Sequence, residues 1–123
     1  MTNAEHRQYP RIFLPTDAGV TGHFEKHNGS LTKFPAVVMN LSQGGIGVAT
    51  RQQLSGQVQK GDHLTLSVIK RKDGFTPIRG IPAVVQWVLE EPASDKLVLG
   101  LEFSGIDPLM RGVIGNFMEM VGG

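Results

Sequence analysis

Near residue 105 the apolar pattern of this chain changes period. Before that point Leu97, Leu99, Leu101 and Phe103 alternate with Val98, Gly100 and Glu102, the two-residue repeat of a strand with one buried face. After it, Leu109, Met110, Val113, Ile114, Phe117, Met118 and Val121 recur at helical spacing, which predicts a core-packing stripe on one helix. Asp107 is a good N-cap and Pro108 a good first helical residue. Gly122 ends the pattern. Within the helix Gly112 and Gly115 lower its intrinsic propensity.

The strand-type repeat recurs upstream. A first extended region runs from Ile12 to Phe24, broken near Pro15, and His23 to Lys33, with Asn28-Gly29, reads as a turn. Val37, Met39 and Leu41 are expected to share one face, with Ala36, Val38 and Asn40 on the other. Ser42-Gln43-Gly44-Gly45 is a tight turn into a strand with Ile46, Val48 and Thr50. Arg51 to Gly61 is polar and loop-like, and Leu64, Leu66 and Val68 alternate beyond it. Lys70 to Gly74 is expected to be a hairpin turn carrying Asp-Gly. Pro77 to Leu89 is a long strand containing Trp87, with Pro82 marking an edge or a bulge.

About six strands followed by one amphipathic helix predict a mainly β fold: a six-stranded antiparallel barrel with a C-terminal α-helix packed on it. Sixteen glycines and seven prolines agree with a turn-rich β protein. Residues 1–11 are polar, and Pro10 biases Tyr9 toward an extended conformation, so they read as a flexible arm. The chain is therefore expected to be one domain, with an arm over 1–11, a barrel over 12–104 and a helix over 107–121.

A formal net charge of +1 leaves no bulk attraction for nucleic acid polymers or an anionic membrane, so any anion site must be local. The absence of cysteine excludes disulfides, thiolate metal sites and cysteine nucleophiles. The polar start has no signal-peptide core and no apolar run reaches bilayer length, so the expected location is the cytoplasm.

Two short patterns carry chemistry. Arg7 and Arg11 form Arg-x-x-x-Arg in the arm. Guanidinium groups make paired hydrogen bonds to phosphate oxygens and to guanine O6 and N7, and they stack on bases. Two of them suit a ligand with both phosphates and guanines, although taken alone so short a pattern is more often two solvated surface arginines. The second pattern is Asn40-Leu41-Ser42-Gln43-Gly44-Gly45, or Asn-x-Ser-x-x-Gly. Asn40 can accept from guanine N1–H or N2–H, and Ser42 offers a short hydroxyl. Gly44 and Gly45 permit a tight turn, close ligand approach and an anion-binding concavity of exposed N–H groups. An ordinary β-turn is the bland alternative. This pattern arises by chance in on the order of a few per cent of chains this long, and an upstream arginine pair makes the combination rarer.

In this order the two patterns resemble the PilZ family, which is marked by Arg-x-x-x-Arg, a spacer and then Asp/Asn-x-Ser-x-x-Gly. The likeness extends to Trp87 in a late strand, to Leu99-Gly100-Leu101-Glu102-Phe103 as the closing strand, and to the terminal helix, so it spans nearly the whole chain. The resemblance implies a barrel that binds the bacterial second messenger cyclic di-GMP. Arg7 and Arg11 would grip phosphate and the outer edge of guanine. Asn40 and Ser42 would hold base and phosphate, Gly44 and Gly45 would form the open turn, and Trp87 would lie near the ligand. Asn40 stands where the family more often has Asp, so it presents one acceptor oxygen where a carboxylate presents two. His6, before the first arginine, sits where it could influence how many ligand molecules bind.

The implied function is a receptor that orders its arm on binding and passes the signal to an unidentified protein target, with no enzyme activity, cofactor, metal or membrane insertion. The alternative is a PilZ-like adaptor that works without ligand. His23 and His27 lack a carboxylate partner pattern for a metal. Glu90 and Glu91 are adjacent and point to opposite faces of a strand, so they do not form an acid–base pair. Gly44-Gly45-Ile46-Gly47 opens a strand and lacks the Lys-Ser/Thr of a P-loop.

Overall fold

The computed structural model describes residues 9–27, 31–72 and 74–122. Seven strands make one antiparallel sheet: β1 (Ile12–Phe13), β2 (Thr21–His27), β3 (Leu31–Leu41), β4 (Gly45–Arg51), β5 (His63–Arg71), β6 (Gly74–Glu91) and β7 (Lys96–Phe103). One helix, α1 (Pro108–Gly122), follows. The order is β1-β3-β2-β5-β6-β7-β4, and an additional β3–β4 pairing closes the six longer strands into a barrel. The two-residue β1 pairs only with the end of β3, at Ile12↔Leu41 and Phe13↔Asn40.

The predicted inward face of β7 holds: Leu97, Leu99, Leu101 and Phe103 are buried, with Ile46 and Val48 of the neighbouring β4 beside Leu101 and Leu99 in register. Each fully buried aliphatic side chain of this kind stabilises the fold by about 1.5–3 kcal/mol. The helix cap holds as well, since the Met110 N–H donates to Asp107 Oδ1 at 2.7 Å. Met110, Ile114 and Phe117 seal α1 onto the core, and the helix packs against β6 and β1. Leu109 departs from the expected stripe: it is 66% exposed, while its neighbour Met110 is buried. Among the described residues, no helix is long and apolar enough to cross a membrane.

Three strands differ from simple alternation, each through a β-bulge, an extra residue that moves all later side chains to the other face. In β3 the register shifts between Val38 and Asn40. Phe34, Ala36 and Val38 are therefore inside, Asn40 turns outward and Leu41 returns to the core, so the expected grouping of Val37 and Met39 with Leu41 is corrected. In β5 a shift between Leu66 and Val68 buries Ile69 where Val68 was expected. In β6 a shift between Val85 and Trp87 leaves Val85 inside and both Gln86 and Trp87 exposed.

The strands β2 and β3 run through most of the predicted His23–Lys33 turn, because β2 pairs on both sides, with β3 and with β5. The Asn28-Gly29 and Asp73 parts of the turn predictions lie outside the described residues. Arg51–Gly61 does form a loop, with a short 3₁₀ turn at Gln52–Leu54 and a buried Val58. Pro82 sits inside β6 without breaking it. Its carbonyl accepts from the Ser104 N–H at 2.8 Å, so its N-side faces the point where β7 has just ended and no ladder bond is lost.

Candidate ligand-binding site

The bulges in β3 and β6 put two side chains on one outer row. Asn40 pairs in register with Gly47, Gly47 with Gly100, and Gly100 with Trp87. The row thus crosses β3, β4, β7 and β6, roughly 14 Å at ordinary strand spacing, with a glycine floor between an amide and an indole. Both glycines are needed by these neighbours. A Cβ on Gly47 would lie 2.5 Å from the Asn40 amide nitrogen, and one on Gly100 would overlap the Trp87 ring. Each flanking side chain lies flat over the floor, and Trp87 keeps 47% of its surface exposed.

Arg11 reaches this row from the chain entering β1, and its Nη1 donates to Asn40 Oδ1. Arg11, Gly44, Gly45, Gln86, Trp87 and Glu102 are among the residues lining a hollow of about 150 Å³ on this face. Arg11, Asn40, Gly44, Gly45 and Trp87 are thereby brought together. Arg7 and His6 lie outside the described residues.

The Ser42 turn is built differently from the expectation of open N–H groups. Ser42 is only 4% exposed, and its Oγ accepts from the Gly44 and Gly45 N–H groups, both at 3.0 Å. The Ser42 N–H donates to the Gly45 carbonyl at 2.9 Å, and the Phe103 N–H to the Gly44 carbonyl at 2.9 Å. The Gly44 and Gly45 N–H groups are thus satisfied within the turn and are not the open anion donors that were expected. The Ser42 hydroxyl keeps its own proton for an acceptor. Gly45 is required by the barrel wall, since a Cβ there would stand 2.6 Å from the Leu101 carbonyl oxygen.

Three residues around the site were not anticipated. Tyr9 packs on the turn, where a Cβ on Gly44 would come within 3.1 Å of its ring. The Arg111 guanidinium of α1 lies over the Tyr9 ring, 5.1 Å from its centroid. Gln43 Nε2 donates to the Arg111 carbonyl at 3.0 Å, and Gly115 lets α1 approach that amide closely. The helix is therefore tied both to the base of the arm and to the turn. Tyr9 and Gln43 occupy unspecified positions inside the two motifs, so motif spacing gave no reason to single them out. Gly47 and Gly100 did leave a signal: an isolated glycine inside a strand pattern marks close approach by another group.

Two titratable groups outside this hollow have shifted equilibria. Burial, and then the Lys70 charge, hold the His23 imidazole below its usual value. Burial pushes the Asp62 carboxyl up. The Lys26 hydrogen bond at 2.8 Å, the Gln59 N–H and the charges of Lys26 and His63 outweigh it and leave Asp62 below the usual carboxylate range. Neither is among the residues lining the hollow beside the Asn40–Trp87 row.

A small antiparallel barrel with a terminal helix and a bulge-built exterior face defines the class of protein. A family model described as the PilZ domain matches residues 5–119, and the chain belongs to that family. The structure is similar to the Bacillus subtilis inhibitor of motility MotI/DgrA, with a TM-score of 0.67 and 27% identity, over 93% of this chain and 50% of that one. It is also similar to the PilZ domain of Escherichia coli YcgR with c-di-GMP, with a TM-score of 0.69 and 16% identity, over 94% of this chain and 90% of that one. A third similar structure is the MrkH–c-di-GMP complex of K. pneumonia, with a TM-score of 0.67 and 14% identity, over 93% of this chain and 50% of that one. The chain thus spans half the length of MotI/DgrA and of MrkH. No curated protein sequence matches.

Proposed function

We propose that this chain is a receptor for cyclic di-GMP that closes its N-terminal arm over the ligand and carries out no chemistry on it. The observation that carries this reading is the convergence of Arg11, Asn40, the Ser42–Gly45 turn and Trp87 on one outer face of a PilZ barrel. The c-di-GMP named with the YcgR and MrkH structures supports the choice of ligand.

The chemistry follows from the groups present. The guanidinium of Arg11 offers paired donors for a phosphate or for guanine O6 and N7. The exposed indole of Trp87 offers a flat face for a base, and the glycine floor beneath it lets the indole and the Asn40 amide lie close to the strands. Asn40 Oδ1 accepts from Arg11, so a guanine N1–H or N2–H competes for that oxygen and frees Arg11 to turn toward the ligand. Arg7 arrives with the arm and completes the grip. The ordering cost of the arm is offset by these charge-assisted bonds. Because Tyr9 joins the arm to Arg111, closure also bears on α1, which gives the bound state a different outer surface to present to a target protein.

Calorimetric titration with cyclic di-GMP tests the reading. Saturable binding that is lost in the Arg7→Ala, Arg11→Ala double variant is the expected result. An absence of heat at high micromolar ligand, or equal binding by the double variant, would refute it.

A further inference from the structure

The β3–β4 ribbon opens at the end away from the Ser42 turn. The two strands pair only as far as Val37↔Ala49. Beyond that, β4 leaves for the Gln52–Leu54 turn, and the Thr50 hydroxyl donating to the Pro35 carbonyl at 2.9 Å spans the gap. The opening is a groove of about 520 Å³ with an aliphatic lining that includes Val37, Met39, Ala49 and Leu54.

Cations stand on both of its banks. Lys33 lies on the β3 side, and Arg51 and Lys96 lie on the β4–β7 side, all three exposed. Arg51 and Lys96 are direct register partners, a like-charge pairing that destabilises a bare sheet. Among the described residues none of the three has a carboxylate within ion-pair distance. The acids opposite them in register, Glu25 for Lys33 and Glu91 for Lys96, do not reach them. Glu91 instead accepts from the Ser94 hydroxyl at 3.4 Å.

We propose that this groove docks an amphipathic helix of a protein partner, with an apolar ridge flanked on both sides by Asp or Glu. The charge layout selects this occupant. A single-headed lipid carries its charge at one end, whereas these cations line two sides of an aliphatic floor. A nucleic acid strand would call for exposed aromatic stacking surfaces, and the one aromatic side chain in the lining, Phe34, is only 4% exposed. Addition of a strand to the open edge of β3 is opposed by Pro35 and Lys33, both of which discourage edge pairing. A helix laid ridge-down satisfies the floor and both banks together.

The probe is a fluorescein-labelled 18-residue peptide with a leucine ridge between two glutamate rows, titrated into the full chain. A peptide with lysine rows is the control. The expected result is saturable anisotropy, at least tenfold tighter for the glutamate peptide, with amide shifts in an ¹⁵N spectrum centred on Val37, Met39 and Ala49. The Lys33→Glu, Arg51→Glu, Lys96→Glu variant alters only exposed positions, and it should lose at least tenfold for the glutamate peptide and prefer the lysine one. Failure of the glutamate peptide to bind, equal binding of both peptides, indifference to the triple reversal, or shifts centred on Trp87 would overturn the proposal. So would occupation of the groove by dodecanoate in place of the peptide, or a concentration-dependent dimer that the triple variant abolishes.

Discussion

Two neighbouring rows of outward residues cross the same four strands and are built by different means. One row runs Val37, Ala49, Val98, Leu89, and the other Asn40, Gly47, Gly100, Trp87. On β4 and β7 both rows obey plain alternation. On β3 and β6 the second row depends on a bulge, without which Asn40 would follow Val38, and Trp87 would follow Val85, into the core. The apolar row therefore comes directly from the strand pattern, whereas the polar row exists only because two strands each spend one residue on a change of face. Bulges next to functional sites re-aim side chains in this way. The difference teaches that the site is a feature of register before it is a feature of residue type.

Substitutions at the polar row and its turn should therefore be felt by the fold, and those at the far rim should not. The largest effect is expected for Gly45→Ala. The new methyl meets the Leu101 carbonyl, which belongs to the backbone and cannot step aside, so urea denaturation should show a loss of about 2 to 3 kcal/mol. Next comes Ser42→Ala, which strips two N–H groups of their acceptor and should cost about 1 to 2 kcal/mol in the same assay. Gly100→Ala pushes against a side chain that can lift away, so about 1 kcal/mol is expected, together with a red-shifted Trp87 emission and weaker cyclic di-GMP binding. Smallest is the reversal of Lys33, Arg51 and Lys96 to Glu, which should leave the unfolding free energy within about 0.5 kcal/mol per substitution. If the rim reversal cost as much as Ser42→Ala, the contrast between the two regions would be wrong.

The parts of the molecule legible in the sequence are those where local pattern and tertiary environment agree. The Leu97–Phe103 alternation and the Asp107-Pro108 helix start were readable because each carries its own signal within a few residues. The inward face of β3 was misread because a bulge changes the meaning of every later position and leaves no residue type of its own at Met39. Leu109 fits the helical stripe, but which edge of the stripe is buried depends on how α1 packs on the barrel, which the helix period does not contain. At the candidate site the motif residues were legible as types, yet the work done by Ser42 was not. Whether a hydroxyl faces a ligand or its own turn is decided by backbone geometry two and three residues on. The same holds for Tyr9, Gln43 and Arg111, which meet only after the arm, turn and helix have been packed together.

Trp87 is the only tryptophan in the chain, so its emission reports on the polar row alone. Titration of the wild-type chain with cyclic di-GMP should change that emission saturably, and Arg11→Ala should abolish the change while leaving the starting spectrum intact. An emission that ignores the ligand in the wild type, or that responds equally in Arg11→Ala, would contradict the claim that the two bulges assemble a single ligand face from Asn40, Arg11 and Trp87.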